Sequence, residues 1–287
     1  MKNLLKKISN IFRLQKETYL IESNEDMEFV IQNLEDELLV GLDTEFDWRN
    51  TYFPKLSLLQ ISTQSLILLI DCLKCKDLNF LKKILEDSKV LVIFHSARSD
   101  TTVLNTNLDI KIKNAYDIQI AEKNLCKDDI KNYGSIVKKY FRTDLDKSET
   151  NSNWLKRPFS QNQLIYAAND VAFLIGIYKK QLKKLKQYNL VDKVIRESNV
   201  EATFGNQDLY VSRLKKLKKA SKLEKEIFVW RENYASKKNV PPSHIFKDRF
   251  LKIIANEMKN KKFDETSFFN LFKNNNFAKD FLKFMNT

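Results

Sequence analysis

The chain has 287 residues, 43% of them hydrophobic, enough to build one large domain or two ordinary ones around a proper core. Its net charge of +13 is unevenly placed: residues 1–180 carry 26 basic against 25 acidic side chains, whereas residues 181–287 carry 24 against 12. Three cysteines (Cys72, Cys75, Cys126) are too few for a disulfide framework and no apolar run reaches transmembrane length, which argues against a secreted disulfide scaffold and a membrane-spanning protein.

In chain order, Met1 to Gln15 is basic, with Leu4, Leu5, Ile8, Ile11 and Phe12 at helical spacing, and predicts a short amphipathic helix within an extension over residues 1–20. It lacks the apolar core and cleavage site of a signal peptide, so a reducing, cytoplasmic setting is expected. The unbroken apolar run Leu38 to Leu42 then predicts a buried central strand. Asp43 and Glu45 close it, two residues apart and therefore on one face. Two acids side by side at the end of a buried strand repel each other unless a cation sits between them, which points to a hard metal ion; alternatively, both belong to a solvated loop. Leu56 to Ile61 and Leu66 to Ile70, joined by the polar Ser62-Thr63-Gln64-Ser65, predict adjacent antiparallel strands. Phe80 to Leu85 predicts a helix and Val90 to Phe94 a further buried strand, so the whole is a mixed α/β sheet flanked by helices. The Cys72-x-x-Cys75 spacing has no second pair to complete a zinc site.

A helix starting near Ser96 places Asp100 on the stripe of Val103 and Leu104, facing the core; the competing reading is a first-turn surface acid. Asp117 is expected to cap the helix that follows it. Ser160-Gln161-Asn162-Gln163 has the form of a capping box, opening a largely buried helix that runs to about Lys180. On it, Tyr166 and Asp170 are four apart and share a face. Either Asp170 is a metal ligand with Tyr166 holding a water against it, or the two form a structural core pair.

Leu42-Asp43-Thr44-Glu45-Phe46, Thr51-Tyr52-Phe53-Pro54-Lys55-Leu56, Leu145 to Glu149 with Trp154 and Pro158, and Tyr166-Ala167-Ala168-Asn169-Asp170-Val171 together resemble the ribonuclease D family, tyrosine-type members of the DEDD exonuclease superfamily. The likeness runs in order across about residues 22–190. It implies an RNase H-like fold and removal of nucleoside 5′-monophosphates from RNA 3′ ends, tRNA precursors among them. By matching positions it implies Asp43, Glu45, Asp100 and Asp170 as ligands of two divalent ions, Mg²⁺ or Mn²⁺, and Tyr166 as the residue that orients the attacking water. One departure is Ala97, where the family's second motif usually has Gly.

Several other chemistries have no support. The two histidines, His95 and His244, sit in no Ser-His-Asp motif, and Gly41, Gly134, Gly176 and Gly205 are too isolated for a phosphate loop. Beyond Gln181, the basic run Arg213 to Lys219 with interleaved Leu suggests a helix with a cationic outer face. Leu223 to Tyr234, Phe250 to Met258 and Ser267 to Phe272 complete a small helical bundle. Its Trp230-Arg231 and Val240-Pro241-Pro242 resemble the HRDC domain shared by RecQ-type helicases and ribonuclease D. The expected division is therefore an exonuclease domain over 21–190, a linker or helical connection over 191–209 and an HRDC-like nucleic-acid-binding domain over 210–287. RNA is the expected partner, with DNA as the alternative and a decayed binding protein as a third reading; a monomer is expected.

Overall fold

The computed structural model describes residues 6–8, 16–126, 131–215, 217–260 and 264–285, which form two compact units. The first comprises residues 1–47 and 55–207; the second comprises Trp48–Pro54 and Asp208–Thr287.

The first unit is built on a seven-stranded mixed sheet, in the order β1 (Lys6–Ile8), β2 (Glu17–Ile21), β5 (Leu66–Asp71), β4 (Lys55–Ser62), β3 (Leu39–Asp47), β6 (Leu91–Phe94) and β7 (Ala115–Asp117). As expected, β4 and β5 are antiparallel neighbours. The Thr63 hydroxyl fixes their connection by accepting from the N–H groups of Ser65 and Leu66 at 3.3 and 3.1 Å. β3 runs antiparallel to β4 and parallel to β6, and so lies inside the sheet. β4 and β5 are buried almost throughout because helices cover both faces.

On one face, Leu42, Leu59, Ile61 and Leu68 meet Val30 and Leu34 of α1 (Met27–Leu34), Leu81 of α2 (Phe80–Leu85) and Leu104 of α3 (Arg98–Leu108). On the other, Leu58, Leu69 and Ile93 meet residues of α4 (Ile118–Cys126), α5 (Tyr133–Phe141), α6 (Gln161–Ala172) and α7 (Leu174–Gln187). Gly41 of β3 allows this second layer to sit close, since a Cβ there would lie 2.6 Å from Ser62 Oγ and 3.0 Å from the Leu174 Cβ.

Four expectations are corrected. Lys6–Ile8 is an edge strand paired with β2, not part of an amphipathic helix, because backbone pairing along an open sheet edge outweighs a weak helical pattern; residues 1–5 and 9–15 lie outside the described residues. α3 starts at Arg98 rather than near Ser96, which takes φ 67°, and Asp117 accepts from the N–H groups of Ser96 (3.1 Å) and Ala97 (2.9 Å). The same carboxylate also accepts from Gln119 N–H, the local cap expected of it. The helix opening at Ser160 is interrupted at Phe173 and continues as α7, although its capping box forms as expected. Residues 191–205, expected as a linker or helical connection, are indeed helical, but this helix, α8 (Val191–Gly205), packs on α3 and β7 as part of the first unit.

At the end of α8, a Cβ on Gly205 would lie 1.9 Å from Thr101 Oγ1 and 2.7 Å from the Arg98 carbonyl oxygen. Gly205→Ala is therefore expected to destabilise the fold by about 1–3 kcal/mol through overpacking. Thermal melting checks this, and an unchanged midpoint would show that the α3–α8 contact yields freely.

The second unit is all-α: α9 (Leu209–Leu214), α10 (Lys222–Lys238), α11 (Leu251–Asn260), α12 (Glu265–Phe269) and α13 (Asn275–Met285). The basic run from Arg213 does not continue as one helix, since α9 ends at Leu214; Lys216 lies outside the described residues. Tyr52 belongs to this core with Ile227, Phe228, Phe246 and Phe281. Its hydroxyl meets the buried Glu232 at 3.1 Å, and Arg213 pairs with the same carboxylate at 2.7 Å. Buried Arg231 donates to the Phe246 carbonyl and pairs with Asp248 at 2.7 Å. Among the described residues, no helix is long and apolar enough to cross a membrane.

Candidate active site

The site grows from the alternation of β3. Val40 and Leu42 point into the core shared with α1 to α3, so Asp43 and Glu45 point to the opposite face, where α6 packs on β3, β4 and β5. The register shifts between Glu45 and Phe46, a bulge just beyond the second acid, after which Phe46 and Asp47 pair with Leu56 and Lys55. From α6, held at its start by the Ser160–Gln163 capping box, Asp170 meets the pair. One ligand oxygen from each of Asp43, Glu45 and Asp170 lies within 4.8 Å of the others. Tyr166, one turn earlier on α6, lines the same cavity of ≈ 320 Å³ with its hydroxyl 3.2 Å from Thr150 Oγ1.

Asp100 reaches this region from α3 and is only 5% exposed. Its Oδ1 accepts from the Thr44 hydroxyl at 2.6 Å and from the Thr44 N–H at 3.1 Å. Thr44 lies between the two β3 acids, so Asp100 is directed at the strand backbone behind them and is not one of the three clustered ligands. Sequence reasoning named all five residues; the structure clusters three acids, sets the tyrosine beside them and holds the fourth acid on Thr44.

The electrostatics match the crowding. Burial, then the charges of Asp43, Asp170 and Asp100, raise the Glu45 carboxyl to about 10. Burial raises Asp43 to about 7 against the opposing Thr44 N–H. Asp170 is pushed well above the carboxylate range by burial and by Asp43, with the Tyr166 hydroxyl opposing. Asp100 is raised in the same way by burial and Asp43, against its Thr44 hydrogen bonds. The Tyr166 phenol is held above its ordinary value by burial and Asp170, and remains a proton donor at neutral pH. An all-oxygen set of acids that resist ionising together fits a hard divalent cation, which would relieve their mutual repulsion.

Several lining residues carried no usable sequence signal. His95 reaches the cavity from the end of β6, its Nε2 3.2 Å from Gln119 Nε2 and 3.3 Å from the Lys131 carbonyl, and burial lowers its pKa. Tyr133 of α5 donates to the Asn169 carbonyl at 2.9 Å, tying α5 to α6 one residue before Asp170. Gln60, not itself on the cavity wall, stands directly across from Asp43 in the β3–β4 pair, fully buried, and its side-chain amide makes no hydrogen bond among the described residues. An isolated Gln within the apolar run Leu56 to Ile61 gives no hint of that position.

Residues 19–186 match the sequence profile of a 3′-5′ exonuclease family. A ribonuclease D of Desulfotalea psychrophila is 33% identical over 250 residues, covering 84% of this chain and 67% of that protein. The chain belongs to the ribonuclease D family. It spans about 41 to 67% of the length of curated ribonuclease D relatives that it matches. Among solved structures, the Escherichia coli RNase D, an exoribonuclease involved in structured RNA processing, gives a TM-score of 0.75 at 22% identity over 83% of this chain and 66% of that one. Brucella melitensis NrnC with bound Mg²⁺ gives 0.55 at 21% identity, over 67% of this chain and 91% of that one. Both share the fold, and the mixed sheet with flanking helices is RNase H-like, as expected.

For this ribonuclease D family member, the raised carboxyls set a sign for pH dependence. Without metal, a folded state that binds these protons more tightly than the unfolded chain has stability that is full below about pH 4. It is lost as pH rises, through about 7 for Asp43 and about 10 for Glu45. In EDTA the melting midpoint of the first unit is expected to fall from pH 5 to pH 9 by roughly 5 °C or more. Mn²⁺ or Mg²⁺ should raise it more at pH 9 than at pH 5, because binding displaces protons. Equal metal-induced shifts at both pH values would contradict the carboxylate assignment.

Proposed function

We propose that the chain is a metal-dependent 3′-to-5′ exoribonuclease, releasing nucleoside 5′-monophosphates and trimming 3′ ends of structured RNA such as tRNA precursors. The observation that carries this reading is the approach of Asp43, Glu45 and Asp170 oxygens to within 4.8 Å on a face they share with Tyr166. Membership of the ribonuclease D family supports it, as does the likeness to a structured-RNA exoribonuclease.

In this reading Asp43, Glu45, Asp170 and Asp100 would hold two divalent ions, Mg²⁺ or Mn²⁺. When bound, such ions supply charge stabilisation to both the entering and leaving oxygens of phosphodiester hydrolysis. Asp100 also fixes Thr44, and with it the spacing of the two acids on either side. The Tyr166 hydroxyl oxygen accepts a hydrogen bond from the attacking water and orients it. Lys147, on the cavity wall, offers a cation to a substrate phosphate. Exposed Lys183, Lys184 and Lys186 of α7 extend the positive surface of this unit. The second unit, with its resemblance to HRDC domains and its excess of lysine, is a nucleic-acid-binding module. The protein acts as a cytoplasmic monomer.

The test is a degradation assay on matched RNA and DNA strands labelled at the 5′ end, with Mg²⁺, Mn²⁺ or EDTA. A ladder of progressively 3′-shortened RNA that EDTA abolishes is the expected result. Preferred digestion of DNA would move the substrate, and cleavage indifferent to EDTA would sink the reading.

A further inference from the structure

We propose that the second unit carries a binding site for single-stranded RNA in the paired grooves on either side of Tyr234, with bases stacked on aromatic rings and phosphates held by lysines. The site is built mainly from α10 and α13 and uses none of the basic residues of the run Arg213 to Lys219. It rests on the RNA-processing reading above and names where that RNA is held outside the catalytic cavity.

The first groove, ≈ 680 Å³, is floored by Trp230, Tyr234 and Phe284. Trp230 and Tyr234, one turn apart on α10, stack at 5.0 Å and 24°. Phe284 of α13 lies 6.1 Å from Trp230 at 32° and is 45% exposed, presenting a large ring at the surface of a helix end. Phe281 braces Trp230 from beneath, edge to face at 4.9 Å. Trp230 itself is buried, so the rings left to a base are the exposed Phe284 and the half-buried Tyr234, held nearly parallel by the Trp230 between them, a form of platform on which bases stack without regard to sequence. The second groove, ≈ 500 Å³, shares Tyr234 and is lined by Asn274, Asn276 and Phe277; the two asparagine amides can meet base edges.

The charge of the two linings selects the occupant. Six lysines line them: Lys222, Lys225 and Lys237 in the first, Lys238, Lys279 and Lys283 in the second. Of the described lining residues, Glu226 and Asp280 alone oppose them, and both are engaged within the unit. Glu226 lies 3.9 Å from Lys222, and Asp280 accepts from the Tyr234 hydroxyl at 2.5 Å and pairs with Lys283 at 3.8 Å. Lys222, Lys225 and Lys237 all belong to α10 and line the groove beside the aromatic floor. An aromatic floor with a lysine rim complements a polyanion that also carries flat rings, as a single strand does. It does not suit an apolar peptide, which would leave the rim unmatched.

The experiment uses the full chain in EDTA, so that binding is read without cleavage, with a fluorescent 12-nucleotide oligouridylate as probe. Phe284→Ala is expected to weaken binding about tenfold, the effect of removing one stacking partner. The exposed pair Lys225→Ala and Lys237→Ala together should weaken it and flatten its dependence on log salt by about 0.7 for each phosphate no longer neutralised. Binding should also quench tryptophan fluorescence. Unchanged affinity and salt slope in variants that melt like the parent overturn the proposal. So does a chain that self-associates through this face, becoming monomeric only in Phe284→Ala while RNA affinity stays the same. Should Phe284→Ala fail to fold, the lysine pair decides alone. An inactive exonuclease that still binds through the groove would refute only the catalytic reading, and an active one indifferent to these substitutions would refute only the groove.

Discussion

Asp43→Asn and Asp170→Asn are each expected to lower the rate of 3′-end removal by about a thousandfold or more, which corresponds to the several kcal/mol a charge-stabilising metal site contributes to phosphoryl chemistry. Both carboxylates belong to the cluster whose oxygens lie within 4.8 Å, and an amide presents one neutral oxygen in place of an anionic pair. Stability should move the other way. In EDTA at neutral pH each variant removes one member of a mutually repelling set, so its melting midpoint should equal or exceed that of the parent. Loss of activity with retained or increased stability is the signature of a site built for a cation. Loss of both together would mean that the acids hold the fold. Tyr166→Phe keeps the ring against Trp154 and removes only the hydroxyl beside Thr150. Turnover should drop about a hundredfold with RNA binding little changed, as for loss of one group that positions the nucleophile by a hydrogen bond. A larger effect on binding than on turnover would make the hydroxyl structural.

Arg157→Ala is expected to produce the largest loss of stability in the first unit, about 3–5 kcal/mol, because it leaves a fully buried carboxylate without its partner. Asp71, at the end of β5, is 0% exposed and receives the Arg157 guanidinium in a two-pronged pair at 2.6 and 2.8 Å. The same guanidinium donates to the Trp154 carbonyl at 2.7 Å and to the Ser57 carbonyl at 3.1 Å, and lies 3.7 Å above the Phe159 ring. It therefore pins the loop between α5 and α6 to the sheet. That loop also carries Lys147 and Thr150 of the cavity wall, so activity should decline along with the melting midpoint. Arg157→Lys keeps the charge but loses the planar fork and the ring contact, and should recover only part of the loss. Chemical denaturation of the three proteins checks the order. An alanine variant as stable as the parent would show that water reaches Asp71 when the arginine is gone.

Much of this was legible in one dimension, because it depends on neighbours in the chain. The apolar run before Asp43 specified a buried strand, and alternation put Asp43 and Glu45 on one face whatever the rest of the fold did. Ser160 and Gln163 specified the start of α6, and a four-residue spacing set Tyr166 and Asp170 on one side of it. Other features arise between segments far apart in sequence, where local propensity says nothing. Asp100 could have been a free ligand or a surface acid; the packing of α3 beside β3 decided that it grips Thr44 across 56 positions. Asp117 also binds the Ser96 and Ala97 N–H groups just ahead of α3, some twenty positions earlier in the chain, which no local rule foresees. The short edge strands β1 and β7 exist because neighbouring strands offer unpaired backbone groups, not because their own residues demand it. Trp48–Pro54, which reads as the link between two strands of one sheet, belongs with the helical unit, where the Tyr52 ring is buried and its hydroxyl meets Glu232. Periodicity fixes which way a side chain points, but only the packed chain decides what it meets there, because desolvation and charge depend on through-space neighbours that sequence separation does not encode.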